Sequence, residues 1–174
     1  MSGRQIILIT GAGGGIGGEA ARAFAADGHA VVAADLDAGR LEALAGQIPA
    51  DRLLTVVADV RDRASVEAMM AAATERFGAL DVLCPNAGVF VGPDRAIEDT
   101  PDEAIDLLID VNIRGVVHGV AAAYPQMVRQ GHGHIPFTFS YQVRTLNDHE
   151  QYTPHSVAQG GTPGEHAARP QRAL

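Results

Sequence analysis

The sequence predicts an α/β protein built on a doubly wound parallel sheet. Short apolar runs of strand length alternate with longer helical patterns through the first 140 residues. A glycine-rich turn stands between the first strand and the first helix. Aspartates follow the second and third strands, where open α/β sheets bind their ligands.

The first strand is predicted over residues 5–10 and runs directly into the glycine-rich turn. The turn reads Gly11-Ala12-Gly13-Gly14-Gly15-Ile16-Gly17-Gly18. Glycines let a pyrophosphate approach the backbone, and the helix N-terminus supplies N–H donors and a positive dipole. The sequence therefore predicts a dinucleotide-binding turn, with an ordinary glycine-rich turn as the alternative.

The second strand is predicted over residues 30–34 and ends in Asp35. An acidic residue about 20 positions beyond the glycines is expected to bind the adenosine ribose hydroxyls. Asp35 would repel a 2′-phosphate, and neither Leu36 nor Gly14 is basic, so NAD is favoured over NADP. The alternative for Asp35 is a cap or turn aspartate, although Asp37 is the better candidate for the helix cap.

Three further strands complete the predicted sheet, in the order 3-2-1-4-5 of the related dinucleotide folds. The third, over residues 53–58, leads into Asp59-Val60, and the fourth, over 80–84, leads into Asn86-Ala87-Gly88. The fifth opens at Gly131 and ends at Ser140. His132 and His134 lie at its start, but no cysteine or acidic cluster accompanies them, and no metal site is predicted.

One long helix is predicted before the fifth strand. Thr100 can cap it, Pro101 suits its first position and Glu103 completes a capping box. The apolar pattern continues to about Gln130 and is interrupted by Asn112. The alternative of a mid-helix asparagine exposed to water is disfavoured, because Asn112 interrupts an apolar stretch.

These motifs together resemble the short-chain dehydrogenase/reductase family over about residues 4–140. Thr10-Gly11-x-x-x-Gly15-x-Gly17 is similar to its cofactor turn, and Asn86-Ala87-Gly88 is similar to its second signature. The resemblance implies a Rossmann-like fold and NAD-dependent hydride transfer between a secondary alcohol or ketone and nicotinamide. It also implies a set of cofactor-binding residues: Gly11, Gly13, Gly15, Ile16, Gly17, Asp35, Asp59, Val60, Asn86, Ala87 and Gly88.

The resemblance implies three catalytic residues. Ser140 would hydrogen-bond the substrate carbonyl, Tyr152 would protonate it, and Asn112 would support a water chain. The family places a lysine four residues after its tyrosine, but this chain contains no lysine and Ser156 stands there. An unassisted tyrosine has a pKa near 10, so about one part in a thousand is ionised at neutral pH.

The missing lysine predicts impaired turnover, and three functional interpretations remain open. The chain is an NAD-dependent oxidoreductase, an NAD-binding protein without turnover, or a truncated or frame-altered product. Tyr152 can equally be an ordinary loop aromatic, and Ser140 an ordinary strand-end serine.

The composition changes after the fifth strand. Residues 141–174 contain few apolar side chains and no helical or alternating pattern, which predicts an irregular or disordered tail beyond a dinucleotide-binding domain of residues 1–140. The fold is therefore expected to be truncated after its fifth strand, which becomes an exposed edge. Phe137 and Phe139 on that edge predict self-association.

Global composition is typical of one globular domain of 174 residues. The net charge of −8 argues against a nucleic-acid surface. Cys84 is the sole cysteine, which excludes an intramolecular disulfide and suits a reducing compartment. No apolar run reaches membrane length and no signal-peptide layout is present, so a cytoplasmic protein is expected. The family resemblance implies a small-molecule alcohol or ketone as its substrate.

Overall fold

The structure is a computed structural model that describes residues 3–90 and 99–137. The predicted catalytic residues Ser140 and Tyr152 lie outside the described residues, as does the predicted tail over 141–174. The predicted edge residue Phe139 also lies outside them. Within the described part of the chain, no helix is long and apolar enough to cross a membrane.

Four parallel strands form the sheet in the described residues. They are β1 (Ile6–Thr10), β2 (Ala30–Asp35), β3 (Leu53–Val57) and β4 (Val82–Cys84). Their order is β3-β2-β1-β4, and Leu8 at the centre of β1 lies opposite Val32 on one side and Leu83 on the other. The predicted α/β class and the first four positions of the strand order are confirmed.

Within residues 3–90 and 99–137, five α-helices accompany the strands: α1 (Gly15–Ala26), α2 (Ala38–Ala45), α3 (Arg63–Phe77), α4 (Asp102–Ile109) and α5 (Gly115–Gln130). Alternate side chains of each central strand point to opposite faces of the sheet. Ile7 and Ile9 pack with α1 and α2, whereas Leu8 packs with α3 and α5. The sheet is therefore covered on both faces, which explains why β1 and β2 read as continuous apolar runs.

The start of the predicted fifth strand lies beside β4. His134 forms a single parallel bridge with Val82: its N–H donates to the carbonyl oxygen of Asp81 at 2.8 Å, and its own carbonyl accepts from the N–H of Leu83 at 3.0 Å. This is the place that the predicted order gives to a fifth strand. The remainder of that strand, from residue 138 to Ser140, falls outside the described residues.

The predicted long helix differs from the prediction in two ways. It begins at Asp102 with Pro101 as the N-cap residue, so Thr100 is not the cap that the sequence predicts and Pro101 is not the first helical position. Between α4 and α5 the backbone also forms a π-helical turn, Asp110–Arg114. Such a turn accommodates one extra residue and recurs at functional sites, and Asn112 lies at its centre.

Candidate functional site

A cleft of about 730 Å³ opens at the carboxyl ends of the strands. Its volume falls within the range of roughly 300–1,000 Å³ that small-molecule sites occupy. Ten of the eleven predicted cofactor residues line it, and Gly13 is the exception. The described walls comprise Thr10, Gly11, Gly14, Gly15, Ile16, Gly17, Ala34, Asp35, Leu36, Arg40, Ala58, Asp59, Val60, Arg61, Asn86, Ala87, Gly88, Val89, Leu107 and Val111.

Two glycines give the turn after β1 its shape. Gly11 has a φ of +68°, a left-handed conformation that favours glycine. Gly17 lies in the first turn of α1 against this segment: an added Cβ would collide with the carbonyl oxygen of Gly11 and lie 2.9 Å from the Cα of Ala12. The turn can therefore close against the helix only with glycine at position 17.

Gly15 has open space on the ligand side of the same turn. An added Cβ there would meet no atom of the described residues within 4 Å. The N-cap residue of α1, Gly14, provides no side-chain cap, and the first N–H groups of a helix have no intrahelical acceptor. The N-terminus of α1 thus offers donors and a positive dipole to an anion in the cleft.

Asp35 at the end of β2 is held by the backbone. Its Oδ2 accepts from the N–H of Gly13 at 2.9 Å, and its Oδ1 accepts from the N–H of Asp37 at 3.0 Å. An added Cβ at Gly13 would lie 3.0 Å from Asp35 Oδ2 and 2.7 Å from Arg40 Cβ. Gly13 therefore contributes by fixing Asp35, and Asp37 caps α2 through the N–H of Arg40, as predicted.

Two arginines that the sequence motifs did not mark also line the cleft. Arg40 pairs with Asp37 across 3.4 Å, and Arg61 pairs with Asp59 across 2.6 Å. The Arg61 hydrogen bonds hold the pKa of the Asp59 carboxyl below its usual range. Each arginine stands two or three residues after the aspartate with which it pairs. This short spacing in the sequence could have indicated that the two arginines lie beside the cleft.

Thr10 joins the end of β1 to the segment after β4. Its buried Oγ1 accepts from the backbone N–H groups of Asn86 and Ala87, both at 3.0 Å. The Asn86 side chain returns a bond, since its Nδ2 donates to the carbonyl oxygen of Thr10 at 3.1 Å. These three bonds hold the Asn86-Ala87-Gly88 segment against the glycine turn.

Asn112 braces the same segment from the helical side. Its Oδ1 accepts from the N–H of Val89 at 2.8 Å, and its Nδ2 donates to the carbonyl oxygen of Val89 at 3.0 Å. Asn112 is absent from the described walls of the cleft, although its neighbour Val111 is present. The structure therefore places this predicted catalytic residue behind the cleft wall, where its amide holds backbone.

The structure brings the predicted cofactor residues together but does not describe the predicted catalytic group as a whole. Ser140 and Tyr152 lie outside the described residues, so their distances to Asn112 and to the cleft stay predictions. No group of three or more potential metal-ligating side chains occurs in the described ranges 3–90 and 99–137.

Comparison with known proteins places the same segment in one family. The family model for short chain dehydrogenases matches residues 5–152. The 2-(R)-hydroxypropyl-CoM dehydrogenase of Xanthobacter autotrophicus is 41% identical over 133 residues, which cover 74% of this chain and 53% of that protein. The NADP-dependent 3-hydroxy acid dehydrogenase of Salmonella typhi is 37% identical over 131 residues, with coverages of 75% and 52%.

A solved structure shows the same likeness. The 3-ketoacyl-(acyl-carrier-protein) reductase of Brucella melitensis, complexed with NADH, matches with a TM-score of 0.70 and 37% identity over 73% of this chain and 52% of that one. The chain spans about half the length of the curated relatives it matches. The relatives include a protein named for NADP and a complex with NADH.

Proposed function

The chain belongs to the short-chain dehydrogenase family, and we propose that it binds a nicotinamide dinucleotide in the cleft and supports hydride transfer between a secondary alcohol or ketone and that cofactor. A bound nicotinamide would supply the hydride acceptor for alcohol oxidation or the donor for ketone reduction. The substrate class is thereby a small molecule with a carbinol or carbonyl carbon.

One observation carries the cofactor proposal. Ten of the eleven residues predicted for a dinucleotide, which come from four separate segments of the chain, line a single cleft at the N-terminus of α1. The open space beside Gly15 is the cradle that a phosphate group requires, because a side chain there would occupy it. The residues present therefore fit the group that the family implies.

Each wall of the cleft has an assigned task under this proposal. The N–H groups around Gly15 and Gly17 hold the pyrophosphate, and Asp35 accepts bonds from the adenosine ribose hydroxyls. Asp59 and Val60 border the adenine, and the Asn86-Ala87-Gly88 segment borders the nicotinamide half. Thr10 and Asn112 fix that last segment from behind through backbone hydrogen bonds.

We propose NAD in preference to NADP. Asp35 places a carboxylate at the ribose end of the cleft, and its neighbour Leu36 is 64% exposed and uncharged. The two arginines on the walls are each paired with an aspartate, which offsets their attraction for a 2′-phosphate. The local balance of charge therefore favours a ribose with free hydroxyls.

We propose that catalysis is weak in this chain. Ser140 and Tyr152 would orient and protonate the carbonyl oxygen, but no lysine is present to lower the tyrosine pKa or to hold the nicotinamide ribose. A second candidate function, cofactor binding without turnover, is favoured by this same absence.

The proposed partners follow from charge and exposure. A small alcohol or ketone is the expected substrate, and a net charge of −8 disfavours nucleic acid. Self-association stays a proposal, supported by exposed apolar side chains on α5. A cytoplasmic location is proposed from the single cysteine.

A titration with NADH, followed by cofactor fluorescence and repeated with NADPH, tests the cofactor proposal. We expect saturable binding with NADH preferred, and we expect Asp35→Ser to lower the NADH-to-NADPH preference by about tenfold, since it removes one charge from the ribose end.

The control is Asp27→Ser, which makes the same charge change at the exposed far end of α1. It should leave the NADH-to-NADPH preference as it is in the unmodified chain. Equal affinities for the two dinucleotides in the unmodified chain, or an equal effect of both variants, would contradict the assignment of Asp35.

A further inference from the structure

A β-turn on the wall of the cleft is held from behind by α5. The N–H of Asp62 donates to the carbonyl oxygen of Asp59 at 3.1 Å, which places Val60 and Arg61 at the two central positions of the turn. Asp59, Val60 and Arg61 all line the cleft. The peptide unit between Val60 and Arg61 is therefore the centre of this part of the wall.

Both polar groups of that central peptide unit have a partner. The N–H of Arg61 donates to Asp59 Oδ1 at 2.9 Å. The carbonyl oxygen of Val60 lies 3.0 Å from Nδ1 of His118, which stands on α5 and is 58 positions further along the chain. His118 itself lies outside the described walls of the cleft, so it can act on a ligand only through the turn.

Close packing brings α5 within reach of the turn. An added Cβ at Gly115, the first residue of α5, would lie 2.7 Å from Val60 Cγ2 and 3.0 Å from Val60 Cβ. A side chain at position 115 would therefore push the helix and the turn apart. Residues three positions apart share one face of a helix, so the same face of α5 provides the space for the Val60 side chain and, from His118, a partner for its carbonyl oxygen.

The contact determines the tautomer of His118. A carbonyl oxygen can only accept, so a hydrogen bond at this position requires the proton on Nδ1. His29 shows the opposite case: its Nδ1 accepts from the N–H of Gln5 at 3.1 Å, so a neutral His29 carries its proton on Nε2. The two imidazoles are therefore expected to hold different tautomers.

We propose that His118 is a positioning residue for the cleft: its Nδ1–H holds the central peptide unit of the turn over residues 59–62 and thereby sets the affinity for the dinucleotide. This inference rests on the proposed cofactor function and adds to it a residue from outside the cleft. Without the donor, the partly buried carbonyl oxygen of Val60 loses its partner, and the turn is stabilised by rotating that oxygen towards water. The wall residues on the turn would move with it.

Nuclear magnetic resonance of the chain with isotope-labelled histidine nitrogens tests the hydrogen bond itself. In alkaline buffer, where imidazoles are neutral, we expect His118 in the Nδ1–H tautomer and His29 in the Nε2–H tautomer. Addition of NADH should move the His118 resonances and leave those of His29 in place, because coupling between the contact and the cofactor is reciprocal. Single substitutions of the two histidines assign their signals.

Two substitutions of His118 test the effect on the cofactor. His118→Leu removes the donor and should weaken NADH binding by about fivefold to tenfold, the value of one hydrogen bond. His118→Asn places an amide N–H where histidine has Nδ1, so its NADH affinity should stay within about threefold of that of the unmodified chain. Fluorescence titration measures the affinities, and circular dichroism checks that each variant is folded.

His132→Leu is the matched control. It removes an exposed imidazole that pairs with Asp81 and lies outside the described walls of the cleft, and it should leave NADH binding unchanged. An equal loss of NADH affinity in His118→Asn and His118→Leu would show that the packing of the imidazole matters and that its donor does not, which would contradict the proposed role.

The outcomes distinguish this inference from the function on which it rests. A His118 imidazole with its proton on Nε2 alone would show that the hydrogen bond is absent, and the inference would be wrong whether or not NADH binds. Equally tight NADH binding in His118→Leu and the unmodified chain would exclude the positioning role although dinucleotide binding stands. If the unmodified chain binds no NADH, the proposed function fails and the positioning role fails with it.

Discussion

Glycines that read alike in the sequence perform different tasks in the turn after β1. Gly11 adopts a left-handed conformation, Gly17 permits close packing, and Gly15 leaves space beside the helix N-terminus. Replacing Gly17 would force backbone atoms apart, whereas replacing Gly15 would disturb no described neighbour. Substitution of Gly17 should therefore lower the free energy of unfolding, whereas substitution of Gly15 should weaken ligand binding.

The Gly15→Ala variant tests this separation. We expect an unchanged or slightly raised free energy of unfolding, because alanine favours a helix over glycine by up to about 1 kcal/mol, together with at least tenfold weaker NADH binding from the lost phosphate space. Gly46→Ala is the matched control, since Gly46 ends α2 in a right-handed conformation and an added Cβ would lie 3.6 Å from its nearest neighbour. Urea unfolding and NADH titration measure the two quantities. Undiminished NADH affinity in Gly15→Ala would contradict the pyrophosphate assignment.

At the scale of elements, the segment after β4 is held from two sides. The hydroxyl of Thr10, at the end of β1, accepts hydrogen bonds from two backbone N–H groups of this segment. The side chain of Asn112, in the π-helical turn, hydrogen-bonds both the N–H and the carbonyl oxygen of Val89. A strand end and a distorted helix thus converge on one short stretch of chain. Neither contact can be predicted from neighbouring residues in the sequence. Asn112 and Val89 are 23 positions apart, and Thr10 and Ala87 are 77 positions apart.

Thr10→Val should show how much this anchoring contributes. Valine keeps the shape of threonine but leaves the N–H groups of Asn86 and Ala87 without their acceptor, and we expect a loss of about 1–3 kcal/mol in the free energy of unfolding. Thr10→Ser keeps the hydroxyl and should cost less than Thr10→Val. Chemical denaturation followed by circular dichroism measures both, and equal stability of the threonine and valine forms would show that the hydroxyl does not anchor the segment.

At the scale of the whole molecule, exposed apolar side chains form a stripe on one helix. Val117, Tyr124 and Val128 on α5 are 58%, 61% and 60% exposed and are spaced by seven and four residues. Residues at these spacings lie on one face of a helix. The sequence predicted self-association at the edge near Phe137 and Phe139, and the helix adds a second apolar surface.

We expect concentration-dependent association of the chain in sedimentation velocity experiments. If α5 provides the contact, Val117→Glu combined with Val128→Glu should weaken association at least tenfold, because charges would be buried at the interface. Val57→Glu, at an equally exposed position on the edge strand β3, is the comparison and should have little effect. A monomer at every concentration, or association abolished only by Val57→Glu, would oppose this assignment.

The sequence by itself determined the sheet, the glycine turn and the family. These features are local or periodic: an apolar run of strand length buried on both faces, a glycine cluster between strand and helix, and aspartates at strand ends. The bounds of β1 to β4 therefore differ from prediction by two residues at most, and Asp37 caps α2 as expected. The described part of the predicted fifth strand forms only the bridge at His134. The absence of lysine is likewise a property of composition alone.

Only the tertiary structure decided how side chains from distant segments are used. The sequence predicted a structural and a catalytic role for Asn112, and its amide is hydrogen-bonded to the backbone of Val89. No sequence motif marked Arg40 or Arg61, which line the cleft. The π-helical turn around Asn112 also has no local signature. Such features depend on which segments the parallel sheet brings to its carboxyl edge, and hydrogen bonds across long separations form only once that arrangement exists.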